Sequence, residues 1–578
     1  MQIYYSSPTP SLHGREVKSH FAFLCTYPSP LIERGSGGEY KAFSIFVLNP
    51  LKTGNYLKAK ITKFFFRNPS KYVFWISLAF LLKGLIPFLQ LLLGHRADPH
   101  LLSFGFIGDT PSYTDPVENL LANGHYSPDH RMPGYGAIYY VLRLLFSYNT
   151  TYNTIVIAQL IISSISVYCL ALLCRLIAKS DVIFYAAFYF FLISTYSNYY
   201  DICLMTEPLC SAFLIFGTWY FALYFENFKL KNLFYSGFFL AWAVFLRPVF
   251  VAVLFAYGLI LLYYALKNKK KFVKPILLFS ISFIIADGAW IVRNYKVDRA
   301  FVPLSNGIYY PYIGDSYMRH MQEFVQSWGG AVDLPDPNSD LSWFGGILFP
   351  GEPEITHYDS LPDDIYTSKF NKDSLYLLRD KVHAFIAMQK PTVDSFYKAV
   401  NKDWFKAFAI LYYPVKPVSP AAAALQNNID AMFDRYKVSI QKEKPYLYYV
   451  KSRAILFRKF LFENNGQFFK RGQIPGLGKF MVSFYHFFYL FILFFGIAGM
   501  FLLAWKGLRS NILLLLLCII PAYDMIVHPI IVHLADNRYL LPVWPFVIAC
   551  AAYTMMVIYE KVKPKKIPIN SIYFSAKK

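Results

Sequence analysis

Ten runs of mostly apolar residues divide this sequence, at roughly 73–94, 152–177, 182–198, 202–224, 233–248, 249–266, 274–293, 480–504, 511–533 and 539–559. The hydrocarbon core of a bilayer is about 30 Å thick, so a helix needs about 20 such residues to cross it. Composition leaves little else. Of 578 residues, 56% are apolar and only 16% charged, against about 25% charged in a soluble chain, too few to solvate an ordinary surface. Phe 56, Tyr 47 and Trp 9 point the same way, because amphipathic rings collect at lipid headgroups. Disorder, collagen and a disulfide-rich secreted domain are excluded. The sequence predicts an all-α multi-spanning membrane protein with about 10 transmembrane helices. The third, fifth and sixth runs are the least distinct. The block 233–266 breaks only at Arg247-Pro248, which reads either as a tight outer turn or as a kink in one long helix.

Lys+Arg 57 against Asp+Glu 35 leaves a net charge of +22. Such a balance can signal nucleic acid, but these cations flank the apolar runs, which fits an anionic inner leaflet and no nucleic-acid partner. Short cytoplasmic loops collect Lys and Arg, so the cations also set orientation. With the N-terminus inside, the cytoplasmic pieces are Lys58 to Lys71, Arg175/Lys179, Lys229/Lys231, Lys267 to Lys274, Lys506/Arg509 and Lys561 to Lys566, and every one is basic. The expected location is the plasma (inner) membrane, multi-pass, with both termini cytoplasmic. The domain order then reads as follows: 1–70, a poorly ordered cytoplasmic segment; 71–293, helices 1–7 with a long first outer loop at 95–151; 294–479, an extracytoplasmic insertion; 480–560, helices 8–10; 561–578, a basic cytoplasmic tail. The insertion carries helix-like stretches near 370–390, 394–412 and 420–440. Residues 1–55 lack both a signal-peptide apolar region and a helical period, and read as a flexible linker or an over-called start. Of Cys25, Cys169, Cys174, Cys203, Cys210, Cys518 and Cys550, six lie in or beside apolar runs. No disulfide framework and no zinc spacing is expected from them.

Chemistry is concentrated just outside the first run. Asp109 precedes Thr110-Pro111, an N-cap followed by Pro near the first helical position. Val117, Leu120 and Leu121 then recur at helical spacing before Gly124, so 111–123 reads as a short interfacial helix. Asp109 and Asp115 are either helix caps or a carboxylate at the mouth of a membrane cavity, where low dielectric raises basicity. Arg131 follows in Arg131-Met-Pro-Gly-Tyr135, either on a lipid headgroup or on an anionic phosphate. Charges inside membranes are expensive unless used or paired. Glu207, Arg247, Asp287, Arg293-Asn294, Asp524, His528 and His533 along the ninth run, Asp536 and Arg538-Tyr539 nearly all fall toward the outer leaflet by this topology. Simple pairing, such as Glu207 with Arg247 or Arg293, accounts for single residues; the shared depth of the set describes a polar cavity open to the outside.

These landmarks resemble the GT-C superfamily of multi-spanning glycosyltransferases, and within it the protein mannosyltransferase and lipid A aminoarabinose transferase branch. The matching pieces are Asp109-x-x-x-Tyr113, Asn119-Leu-Leu-x-x-Gly124-His-Tyr-Ser, Arg131-x-Pro-Gly-Tyr135, Thr206-Glu-Pro-Leu, Leu246-Arg-Pro, Trp290-x-x-Arg293-Asn-Tyr and Arg538-Tyr-Leu-Leu-Pro, in the expected order over about 70–310 and 480–560. Residues 310–480 carry no recognisable piece of the pattern, in a region where the family's acceptor-specific parts vary. The resemblance implies a sugar donor on a polyprenyl phosphate, an acceptor that is a lipid, a glycan or a protein, and transfer on the extracytoplasmic side among membrane lipids. It makes Asp109 the catalytic carboxylate, with Asp115 the second candidate. As general base, Asp109 would take the acceptor's proton while that atom attacks the anomeric carbon in line and inverts it. Arg131, Arg247, Arg293 and Arg538 would hold the leaving phosphate, and Tyr135, Glu207, Asn294 and Tyr539 would line the donor site. No cofactor is required. Some relatives carry two adjacent acidic residues in the first outer loop; here Thr110 follows Asp109, so no metal ligand is assigned and a divalent metal stays open. A nucleotide loop of the form G-x-x-x-x-G-K-[ST] is absent.

The competing class is a transporter, flippase or polymerase of a polyprenyl-linked glycan, which also needs buried charges. Transporters tend to repeat internally, with broken helices at matching places in two halves. The two long outer segments here are asymmetric and no repeat is visible.

Overall fold

The structure, a computed structural model, describes residues 68–92, 109–126, 131–268, 273–299, 301–304, 317–330, 361–400, 419–462, 477–533 and 536–562. The segment 1–55, most of the stretch 394–412, and the C-terminal tail beyond 562 therefore lie outside the described residues. Within them the chain forms helices and turns and no strand. In order the helices are α1 Tyr72–Leu92, α2 Thr110–Asn123, α3 Gly134–Leu145, α4 Tyr148–Ala178, α5 Asp181–Ile193, α6 Thr206–Asn227, α7 Leu230–Leu246, α8 Val251–Lys267, α9 Val273–Asp298, α10 Tyr317–Ser327, α11 Lys372–Val400, α12 Pro420–Glu443, α13 Ser452–Phe462, α14 Leu477–Arg509, α15 Leu515–Ile526 and α16 Trp544–Val562.

Every apolar run coincides with one of these helices. Seven among the described residues are long and apolar enough to cross a membrane, and Tyr72–Leu85, Asp181–Ile193 and Leu230–Leu246 are shorter apolar helices. The protein is thus an all-α, multi-spanning membrane protein. α5 is short for a physical reason: at about 1.5 Å per residue it rises only some 20 Å. Its chain then continues through a single helical turn at Thr195–Asn198 and a 3-10 turn at Tyr199–Ile202 before α6 begins.

The Arg247-Pro248 ambiguity resolves as a turn. Pro holds the preceding residue extended, and Arg247 sits at φ −145°, ψ 103°, ending α7. Tyr235 meets Tyr220, and Cys210 reaches Ala243, so α7 runs against α6. Tyr257 shares a hydrogen bond with Thr218 and Tyr264 packs on Phe225, so α8 runs with α6. α7 and α8 are therefore the arms of a hairpin. Close helix approach rests on small residues, as expected where lipid offers no hydrophobic drive. A Cβ on Gly237 would meet the Phe279 carbonyl oxygen at 1.7 Å, and one on Gly499 would meet the Cys550 carbonyl oxygen at 2.0 Å.

The insertion has a core of its own. Phe324 on α10, Leu378 and Val382 on α11, and Ile429 and Phe433 on α12 are buried together, apart from the bundle core. α13 ties this domain to the bundle: Phe460 and Leu461 belong to the bundle core, and Tyr489 on α14 donates to the Leu461 carbonyl at 2.8 Å. Neither α10 nor α13 stands out as a helix in the sequence, because neither is long or strongly apolar.

Candidate functional site

Asp109 occupies the N-cap position of α2, as its spacing to Pro111 suggests, yet its side chain caps no amide. Two arginines take it instead. Arg131 Nη2 lies 3.2 Å from Oδ1 and Arg538 Nη2 lies 2.9 Å from Oδ2. The first turn of α2 holds Arg131 in place. Ser112 Oγ accepts from Arg131 Nε at 3.1 Å while donating to the Asp109 carbonyl at 2.6 Å, and the guanidinium lies 4.7 Å from the Tyr113 ring centre. Thr110 Oγ1 donates to the Leu204 carbonyl at 3.1 Å, which pins α2 to the segment leading into α6. Gly134, at the start of α3, lets the Arg131 turn settle on the end of α7, since a Cβ there would meet the Phe245 carbonyl oxygen at 2.5 Å.

Behind this lip is a buried floor. Glu207 sits in the first turn of α6, where the helix dipole favours a carboxylate. Arg247 Nη2 approaches its Oε1 at 2.5 Å, and Arg538 Nε lies 3.4 Å from the same oxygen. Thr206 Oγ1 accepts from Arg247 Nε at 3.3 Å and donates to Glu207 Oε2 at 3.2 Å. Asp536 holds the base of Arg538, accepting from its backbone amide at 2.8 Å with its other oxygen 3.6 Å from Nε. The Tyr539 ring lies 4.9 Å from the Arg247 guanidinium and 5.7 Å from that of Arg538. Exposure falls from 27% at the Asp109 side chain, through 20% at Arg538, to 1% at Glu207.

Seven of the expected residues thus meet: Asp109, Arg131, Glu207, Arg247, Asp536, Arg538 and Tyr539. The rest stand apart from that cluster. Asp115 is exposed, and its carboxylate accepts from Thr114 Oγ1 at 3.4 Å. Tyr135 is buried one layer below, donating to Gln159 Oε1 at 3.1 Å with its ring 5.3 Å from Tyr113. Arg293 donates to the Tyr126 carbonyl at 2.7 Å and to Asn294 Oδ1 at 3.0 Å, while Asn294 donates to the Val302 carbonyl at 3.0 Å. With Asp287 accepting from Leu304 N at 2.9 Å, these residues brace the C-terminal end of α9. Asp524 and His528 form a buried pair at 3.1 Å, with the His528 ring 5.0 Å from Tyr539.

Sequence reasoning missed one network. Lys83 on α1 is buried and donates to Ser163 Oγ at 2.7 Å, Asn198 Oδ1 at 2.8 Å and Asp201 Oδ2 at 2.7 Å. Gln159 Nε2 donates to the Asp201 and Cys203 carbonyls at 3.0 and 2.8 Å. Together they hold the chain between α5 and α6 that delivers Thr206 and Glu207. The signal was present: a lone lysine inside an apolar run is costly without partners.

Burial alone would lift the Asp109 carboxyl, but Arg538 and Arg131 outweigh it and hold the group below the usual carboxylate range. With a guanidinium on each oxygen, Asp109 offers a poor donor set for a cation, and no three His, Cys, Asp or Glu among the described residues are grouped to hold one. The ends of the bundle differ in kind. Lys179 pairs with Glu226 at 3.0 Å where α4 and α6 finish, and Lys506 lies 5.5 Å from the Tyr553 ring of α16, both at the end opposite Glu207 and Arg538.

Fold and site together define a polytopic helical membrane protein with a charged, partly exposed site at one end of its bundle. No family model and no curated protein matches the sequence. Among solved structures, the chain is similar to the archaeal oligosaccharyltransferase AglB from Archaeoglobus fulgidus, in complex with an inhibitory peptide and a dolichol-phosphate. Identity is 11% and the TM-score 0.39, over 85% of this chain and 50% of that one. This chain spans about half the length of that relative, and a likeness so slight transfers neither fold nor activity.

Proposed function

We propose that this chain is an integral membrane glycosyltransferase of the GT-C type. It moves a hexosyl or pentosyl group from a polyprenyl-phosphate donor to an acceptor hydroxyl or amine on the extracytoplasmic face, with inversion. The observation that carries this reading is the meeting of Asp109 with Arg131 and Arg538, beside the Glu207–Arg247 pair. These are residues of the short motifs that resemble the superfamily, brought from distant parts of the chain to within ion-pair distance.

The chemistry follows from the arrangement. Asp109, partly exposed, is the group placed to take the acceptor's proton. The leaving group is a phosphate whose charge grows as the anomeric bond breaks, and preorganised guanidiniums suit that charge. Glu207 and Asp536 hold those guanidiniums in place. The basic turns at the other end of the bundle support an outward-facing site by the positive-inside rule, with the donor's prenyl tail in lipid.

The test is transfer from a panel of radiolabelled polyprenyl-phosphate sugars in purified membranes, comparing wild type with Asp109→Asn. Label reaching an acceptor, with polyprenyl phosphate released by wild type only, supports the reading. Donor crossing the bilayer without bond cleavage would replace it with a flippase.

A further inference from the structure

We propose that Arg131 and Arg538 are shared between Asp109 and the donor's phosphate, so that phosphate binding draws both guanidiniums off Asp109 and frees that carboxylate to accept the acceptor's proton. The inference rests on the glycosyl-transfer reading above and deepens it, by making the base available only when donor is present.

Charge balance is the first ground. Among the described residues, the ion pairs of the site join three guanidiniums, Arg131, Arg247 and Arg538, to three carboxylates, Asp109, Glu207 and Asp536. An arriving phosphodiester therefore brings a negative charge to described pairs whose charges already balance, and it must compete with those carboxylates for a cation. Burial decides which pair yields. Glu207 is 1% exposed and bound by Arg247 at 2.5 Å, so stripping it would leave a buried charge uncompensated. Asp109 is 27% exposed and water can resolvate it. Arg538 also has unused capacity: its Nε is buried and makes no hydrogen bond, with carboxylate oxygens only at 3.4 and 3.6 Å.

The reaction's own charge movement matches this exchange. The acceptor's oxygen or nitrogen forms a bond to the anomeric carbon, and the bond from that carbon to the phosphate oxygen breaks, its electron pair going to the phosphate. A singly charged phosphodiester becomes a monoester with one more negative charge, while the acceptor's proton lands on Asp109 and removes one. The site's net charge is unchanged. The guanidiniums lose their hold on Asp109 as the leaving phosphate gains its claim on them.

By linkage, whatever phosphate does to the Asp109 pairs, Asp109 does in return to phosphate. Removing the carboxylate's charge should then tighten phosphate binding even as it abolishes transfer. The experiment measures binding of farnesyl phosphate to the purified full-length protein in detergent, for wild type, Asp109→Asn and Asp109→Glu. Asp109→Asn is expected to bind about tenfold more tightly, and Asp109→Glu, which keeps the charge, about as wild type does. Asp109→Ala carries the same expectation as Asp109→Asn should the latter fail to fold. Equal or weaker binding by the neutral variants, in a protein whose wild type binds farnesyl phosphate and transfers sugar, overturns the sharing alone. Failure of wild type both to bind and to transfer overturns the glycosyltransferase reading, and the sharing with it.

Discussion

Arg247 and Arg538 both touch Glu207, yet they serve different ends, and burial separates them. Arg247 is 11% exposed and its closest partner is a carboxylate sealed from water. Arg247→Gln should therefore act on stability, at about 3 kcal/mol for a buried carboxylate that loses its closest partner and keeps Arg538 at 3.4 Å, read as a fall in the melting temperature of the purified protein. Arg538 is 20% exposed and bridges Glu207 to Asp109. Arg538→Gln should leave the fold nearly intact and lower kcat/KM by about 10²–10³, the usual worth of one donor aimed at developing charge. It should also move the pH profile. Asp109 is held below the ordinary carboxylate range chiefly by Arg538 and Arg131 against its burial, so it stays ionised on acidification and the acid limb of kcat/KM lies low. Removing Arg538 raises the Asp109 carboxyl and shifts that limb upward; a limb that stays put would show that another group sets it.

Among the elements, the segment between α5 and α6 has the largest effect on the site for its size. It is clasped from α1 by Lys83 and from α4 by Ser163 and Gln159, and it ends at Thr206 and Glu207. Lys83→Met strands Asp201 without its cation and should cost about 3–5 kcal/mol. The double variant Lys83→Met/Asp201→Asn removes both charges and should recover most of that loss in melting temperature. A double variant as unstable as the single would mean that Ser163 and Asn198, not the ion pair, carry the brace. The apolar runs made these helices legible, because a bilayer crossing dictates length and composition together. The same rule hid α10 and α13, which are short, amphipathic or polar, and leave no such mark.

For the molecule as a whole, the division between a basic end and a mixed-charge end predicts its sidedness. With cysteines placed one at a time on a background lacking native thiols, Ser510→Cys, in the turn after α14, should resist a membrane-impermeant maleimide in intact cells. Asn119→Cys, on α2, the helix that Asp109 opens, should react. The reverse pattern would place the site in the cytoplasm and exclude an externally presented donor.

From sequence alone came the helical class, the number of apolar runs, the two long polar segments between them, and, within a longer set of candidates, the seven residues that meet in the cluster. Each of these is written locally, as length, composition or a short motif beside an apolar run. What only the tertiary structure decided is who touches whom. Arg293, equal in the sequence to the other three arginines, braces α9 against Tyr126, while Arg538 reaches two carboxylates from distant segments. Asp109 sits where a helix cap would, and spends its oxygens on arginines instead. Ion pairing depends on distances of a few ångströms between side chains far apart in the chain, and those distances are fixed by how helices cross, where glycines let backbones meet, and which charges burial forces together.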